Sequence, residues 1–229
     1  MRAIRSQDWH PAPAPAAIFS HIPKTGGTSV LHWLKTELPM WTYRSRAHVP
    51  SKPPPQSRYV LYTGHLPFDC LVLDGLFSRN ALREVFSFAF VRHPLDRAMS
   101  VFYQHLSSKK ENVAHDFDTF IEQAWKHSGD THWATPALRL MLKPASYWVF
   151  PDSGLAISQV YRLEDFNSSV DHLRRQLQIS GAPHLENLSR VRAEDKPTPS
   201  ERAVAIVHDL YREDFKNFDY PERPVSGND

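Results

Sequence analysis

A chain of 229 residues, 41% hydrophobic and 23% charged, has globular composition and enough length for one well-filled core. A formal charge of +2 and a pI near 8.7 exclude the strongly basic footprint of a nucleic-acid-binding protein, although 13 histidines add charge in mildly acid conditions. The single Cys70 forms no internal disulfide, no zinc-ligand spacing occurs, and there is neither a signal-peptide core nor a run approaching the ~18 apolar residues of a membrane span. The chain therefore reads as soluble and cytoplasmic, with a local anion pocket rather than a basic face.

Residues 1–15, rich in Pro and Ala, read as a flexible N-terminal arm, because proline lacks the amide donor that helices and central strands need. AAIFSHI, residues 16–22, reads as a short buried strand, and after a glycine turn Val30, Leu31, Leu34 and Leu38 recur at helical spacing. Residues 41–57, with Pro50, Pro53, Pro54 and Pro55 among Arg and Lys, read as an extended surface loop. RYVLYTGH (58–65) is a second predicted strand, CLVLD (70–74) a third, and FSFAFV (86–91) a buried fourth that runs into Arg92-His93-Pro94.

Pro94 opens a helix with the core stripe Leu95, Ala98, Met99, Phe102 and Leu106, leaving His93, Arg97 and Ser100 on its polar side. Phe117, Phe120, Ile121 and Ala124 mark another helix. A last strand is expected around 156–161, then a helix on Phe166, Val170, Leu173 and Leu177. The final helix carries Ala203, Ile206, Val207 and Leu210 and opens with Thr198-Pro199-Ser200-Glu201, a capping box with proline at its first position. Strands alternating with helices imply an α/β fold in three layers, a central parallel sheet flanked by helices, with ligands at the carboxyl ends of strands. One domain is expected over residues 16–220, with 221–229 as a C-terminal tail.

Between the first predicted strand and helix stands His21-Ile22-Pro23-Lys24-Thr25-Gly26-Gly27-Thr28-Ser29. Successive amides at such a turn point at one volume, Gly26 and Gly27 permit close approach, Thr28 and Ser29 add hydroxyls, and Lys24 adds a full charge. A Walker A loop has its lysine directly after the last glycine, whereas here lysine precedes both. Arg92, at the end of the buried strand, and Ser100, about two turns into the following helix, suit a second phosphate. The competing reading pairs Arg92 with Asp96 and leaves Ser100 facing solvent.

Together, HIPKTGGTS and FVRHPLDRAMSVFY resemble the two signatures of glycan-modifying sulfotransferases, the family that includes heparan sulfate 2-O-sulfotransferase and chondroitin-type relatives. The resemblance runs from about Ile18 to Tyr220. It implies a P-loop nucleotide-binding-like fold and a metal-free reaction that uses 3′-phosphoadenosine-5′-phosphosulfate (PAPS) as co-substrate and a carbohydrate or other small hydroxyl-bearing acceptor. It assigns Lys24, Thr25, Gly26, Gly27, Thr28 and Ser29 to the 5′-phosphosulfate, and Arg92 and Ser100 to the 3′-phosphate. Asn187-Leu188-Ser189 resembles an Asn-x-Ser of the family's late cofactor-side loop, while Arg190, Arg192 and Lys196 read as solvated loop charges. In-line sulfuryl transfer needs a base for the acceptor hydroxyl and a cation at the leaving phosphate. His65, at the end of the second strand and in the family's Gly-His position, is the expected general base, with Lys24 the cation. His21 and His93, each beside an anion motif, are expected to shape their loops.

Two other functions compete. An ATP-dependent kinase would use Asp74 at the end of CLVLD as a Walker B carboxylate, and a non-catalytic protein would bind a phosphorylated nucleotide without turnover. Trp41, Trp125, Trp133 and Trp148 are either sugar-stacking platforms or core.

Overall fold

The computed structural model describes residues 15–43, 58–107, 114–130, 132–151, 154–183 and 198–221. In chain order its elements are β1 (Ala17–Ser20), α1 (Gly27–Glu37), β2 (Met40–Thr42), β3 (Val60–Tyr62), α2 (Cys70–Leu73), α3 (Arg79–Glu84), β4 (Ser87–Val91) and α4 (Pro94–Ser107). There follow α5 (Phe117–Lys126), α6 (Pro136–Leu142), α7 (Ser146–Val149), β5 (Gln159–Arg162), α8 (Phe166–Leu177), α9 (Glu201–Leu210) and α10 (Arg212–Asn217). They fall into two compact units. The first takes the described residues up to Phe90 and from Tyr147 to residue 183; the second takes Val91–Ser146 and residues 198–221.

The first unit holds a five-stranded sheet in the order β2-β3-β1-β4-β5, with β2–β3, β3–β1 and β1–β4 parallel. All four residues of β1 are buried, which is why an uninterrupted apolar run suits this central position. Phe19 and Phe88, paired in register, stack at 4.9 Å with planes 9° apart, and burying each such ring contributes about 1.5–3 kcal/mol. Val30, Trp33 and Leu34 of α1 and Phe166, Val170 and Leu173 of α8 complete the same core. At the far edge Ser158 Oγ donates to the Ser87 carbonyl at 2.8 Å, and Ser158 N donates to Ser87 Oγ at 2.9 Å, fixing the starts of β4 and β5 together. Strand order reverses about β1, so the loop leaving its carboxyl end lies at the topological switch point where ligands bind in open α/β sheets.

The second unit is helical. In α5, Phe117, Phe120, Ile121 and Ala124 are all buried as the periodicity requires, and α5 packs on α9. Leu95, Ala98, Met99 and Phe102 are buried on α4.

Four local expectations change. CLVLD is not a strand: Leu73 N donates to Asp69 O at 3.0 Å and Asp74 N to Cys70 O at 2.9 Å, closing the helical turn α2, which Gly75 ends at φ 77°. Leu73 is 69% exposed, which a central strand would not allow. The 41–57 loop begins with strand residues instead, because Met40–Thr42 pairs with Val60–Tyr62 as the edge strand β2; residues 44–57 lie outside the described residues. The last long helix is capped by Ser200, whose hydroxyl accepts from Ala203 N at 3.1 Å, and not by Thr198. Arg97 leaves the polar side of α4 for the interior. It is 1% exposed, 3.9 Å from the equally buried Asp214, and donates to the Met141 and Lys143 carbonyls at 2.9 and 2.6 Å. Asp214 also accepts from the amides of Ala145 and Ser146.

Candidate active site

The chain leaves β1 through a loop with two residues in the left-handed region, Lys24 at φ 69° and Gly26 at φ 76°. Gly26 tolerates this freely, and a left-handed lysine is uncommon enough to mark a site under constraint. The Thr25 hydroxyl donates to the Ile22 carbonyl at 2.9 Å and closes the loop on itself. Gly26 is the N-cap of α1 and, having no side chain, leaves the first amides of the helix without a side-chain cap from that position. Both glycines are held closely. A Cβ on Gly26 would lie 2.6 Å from Leu163 Cδ1, and one on Gly27 2.1 Å from His21 Cδ2 and 2.3 Å from His21 Nε2. Lys24 and Thr28 are half-buried, while Thr25 and Ser29 are buried.

His65 follows β3 in the turn Thr63–Leu66, closed by Leu66 N donating to Thr63 O, with Gly64 at φ 60°. The β1–β3 pairing continues past both strands, since His21 N donates to Gly64 O at 3.1 Å. This register brings His65 Nδ1 to 2.7 Å from the His21 carbonyl oxygen. A carbonyl only accepts, so Nδ1 carries the proton and Nε2 of the exposed His65 ring bears the lone pair. Trp148 Nε1 donates to the His65 carbonyl at 3.0 Å, which fixes the turn from its other side. Trp148 is fully buried and Trp41 nearly so, making both core residues, whereas Trp125 is 44% exposed and donates to Asp209.

His21 is buried against this turn. Its ring centroid lies 4.6 Å from that of His65 and 5.7 Å from that of Phe19, and Nδ1 is hydrogen-bonded to the Tyr62 hydroxyl at 2.7 Å. Desolvation foremost, then the charges of His65 and Lys24, lowers its pKa to about 3, so the ring is neutral at working pH. Sequence reasoning missed the Tyr62 contact and the packing under Gly27, since neither has a local signature.

The first unit thus brings together Lys24, Thr25, Gly26, Gly27, Thr28, Ser29 and His65. Arg92 and Ser100 belong to the second unit, both half-buried, Arg92 just after β4 and Ser100 at the seventh position of α4. Among the described residues no ion pair joins Arg92 to the exposed Asp96. His93 is buried edge-on to Phe215 and Tyr220. Asn187, Ser189, Arg190, Arg192 and Lys196 lie outside the described residues. Among the described residues, no helix is long and apolar enough to cross a membrane and no His, Cys, Asp and Glu side chains gather as a metal site.

The fold is similar to that of a sulfotransferase from Alicyclobacillus acidocaldarius, with a TM-score of 0.56 and 13% identity over 91% of this chain and 95% of that one. A mouse sulfotransferase, SULT7A1 complexed with PAP, aligns with a TM-score of 0.41 and 13% identity over 92% of this chain and 69% of its own. No curated protein sequence matches the chain. Residues 12–221 match the sulfotransferase family, and with nearly the whole length so matched the chain belongs to that family.

Proposed function

We propose that the protein transfers a sulfuryl group from PAPS to an acceptor hydroxyl, on a carbohydrate, by in-line displacement with His65 as general base. The observation that carries this reading is the 2.7 Å bond from His65 Nδ1 to the His21 carbonyl, which leaves Nε2 of an exposed ring able to take the acceptor's proton. The loop fits the donor's phosphosulfate. Its left-handed Lys24 and Gly26 lead into a helix N-terminus that has no side-chain cap from Gly26 and stands beside a lysine, an arrangement suited to an anion. When bound, PAPS supplies an activated sulfuryl group with a phosphate as leaving group. The amides of residues 24–29 hold that end, Lys24 opposes the charge growing on the leaving oxygen, and Arg92 and Ser100 hold the 3′-phosphate. Preference for a carbohydrate acceptor rests on the resemblance of both motifs to the glycan-modifying branch.

The kinase alternative loses its Walker B carboxylate, because Asp74 ends a helical turn and accepts from the Tyr43 hydroxyl rather than closing a strand. Mass-resolved transfer of labelled sulfate from PAPS to a panel of acceptors tests the activity. His65→Ala is expected to lose about 10²–10⁴-fold in turnover while cofactor affinity and thermal unfolding stay at wild-type values. A folded, cofactor-binding His65→Ala enzyme that turns over at the wild-type rate rules out the assignment.

A further inference from the structure

We infer that Tyr62 is a positioning residue for the transfer, acting on His65 through the buried ring of His21; the inference rests on His65 as the base. Tyr62 ends β3, a strand paired on both sides. Its register partners are Phe19 of β1 and Thr42 of β2, and Tyr43 N donates to its carbonyl at 2.8 Å. The phenol is therefore a fixed point, and burial pushes its pKa up, so it stays an uncharged hydroxyl.

That hydroxyl makes the one hydrogen bond that the His21 ring has among the described residues, at Nδ1. The rest of the ring is enclosed. Phe19 lies nearly parallel to it (14°), His65 packs against it at 53°, and the Gly27 backbone covers the Nε2 edge closely enough to leave no room for a Cβ. The charged or titratable groups facing the ring are His65, Lys24 and Tyr62. Packing confines the neutral ring, and the Tyr62 hydroxyl is the polar contact that selects its rotation about Cβ–Cγ. The same residue presents its carbonyl to His65 Nδ1–H and its ring to the His65 ring. The backbone carbonyl sets the nitrogen that carries the proton, and the fixed ring beneath sets the plane of the base and so keeps its Nδ1–H on that carbonyl. Removing the hydroxyl leaves His21 Nδ1 a buried polar atom without its partner, and the ring gains by turning toward another donor or acceptor. Any such turn withdraws the surface on which His65 rests.

Long-range proton–nitrogen NMR correlations of the imidazoles above pH 7 report the His65 tautomer without any acceptor present. Wild-type protein is expected to show His65 as the Nδ1–H form alone, and Tyr62→Phe a mixture of the two tautomers. In single-turnover transfer from PAPS, with the acceptor that the labelled panel returns, Tyr62→Phe is expected to lose roughly 10–100-fold, the scale of a small misplacement of a catalytic group. Its affinity for 3′-phosphoadenosine-5′-phosphate should stay at the wild-type value, and adding Tyr62→Phe to His65→Ala should cost nothing further. Wild-type His65 found as the Nε2–H tautomer overturns the inference, and this arm holds even if Tyr62→Phe fails to fold. So does a Tyr62→Phe protein that keeps the single Nδ1–H form, or transfers at the wild-type rate while His65→Ala is slow. His65→Ala at the wild-type rate instead overturns the base assignment itself.

Discussion

Replacing Gly27 with alanine tests how closely the His21 ring is held beneath the glycine loop. Gly27 is the first residue of α1 and its φ lies outside the left-handed region, so the backbone accepts alanine there. In an open helix the exchange would stabilise by about 0.5–1 kcal/mol. Here the new methyl would lie 2.1 Å from His21 Cδ2 and 2.3 Å from Nε2, and ordinary carbon contacts need about 3.5 Å. The ring must therefore move by more than 1 Å, yet Phe19, His65 and the Tyr62 hydroxyl hold it on its other sides. Forcing a methyl into such a site costs about 1–3 kcal/mol. Less the helix gain, the net loss is up to about 2.5 kcal/mol, which lowers Tm by up to roughly 10 °C in a chain of this size. Calorimetric melting measures it. The same substitution made in a His21→Ala background should raise Tm, because the obstructing ring is gone and only the helix preference remains. A Gly27→Ala protein that melts above the wild-type temperature, as an unobstructed helix position would allow, refutes the packing argument.

Arg92→Ala should weaken binding of 3′-phosphoadenosine-5′-phosphate at least about tenfold while leaving adenosine-5′-phosphosulfate little changed, since a charge-assisted bond of about 1.5–3 kcal/mol is lost with the first ligand alone; equal losses by titration calorimetry would make the residue structural. Arg97→Met leaves Asp214 buried without its cation, so denaturant unfolding should show a loss of about 3–5 kcal/mol, and a loss below about 1 kcal/mol would contradict the burial. His21 binds its proton near pH 3 when folded and near 6.5 when unfolded, so between those values the unfolded chain holds more protons. Its contribution to stability is complete above about pH 6.5 and is lost as pH falls towards 3. Melting temperatures of His21→Asn across that range should fall less steeply than those of wild type, and parallel curves would place the acid sensitivity elsewhere.

Much of the fold is legible in the chain itself because it rests on local patterns. β1 and β4 are short, mostly apolar runs, α5 and α8 carry apolar residues at helical spacing, and the loop after β1 announces itself by adjacent glycines between a strand and a helix. The turn that carries His65 was likewise readable, from a glycine at a strand end. Other features were decided only by tertiary structure. Five apolar residues such as CLVLD satisfy a helical turn as well as a strand, and the Asp69 and Gly75 backbones that close the turn decide which forms. Arg97 looks solvated on a helical wheel, yet Asp214 lies 117 positions away in sequence and no local period reveals that the two are buried together. The His65 tautomer depends on the backbone oxygen of residue 21, and the rotation of the His21 ring on a hydroxyl 41 residues on. These are contacts across strands rather than along one, so the residues of the candidate site stand in the sequence while the register of β1 on β3 decides which of them meet.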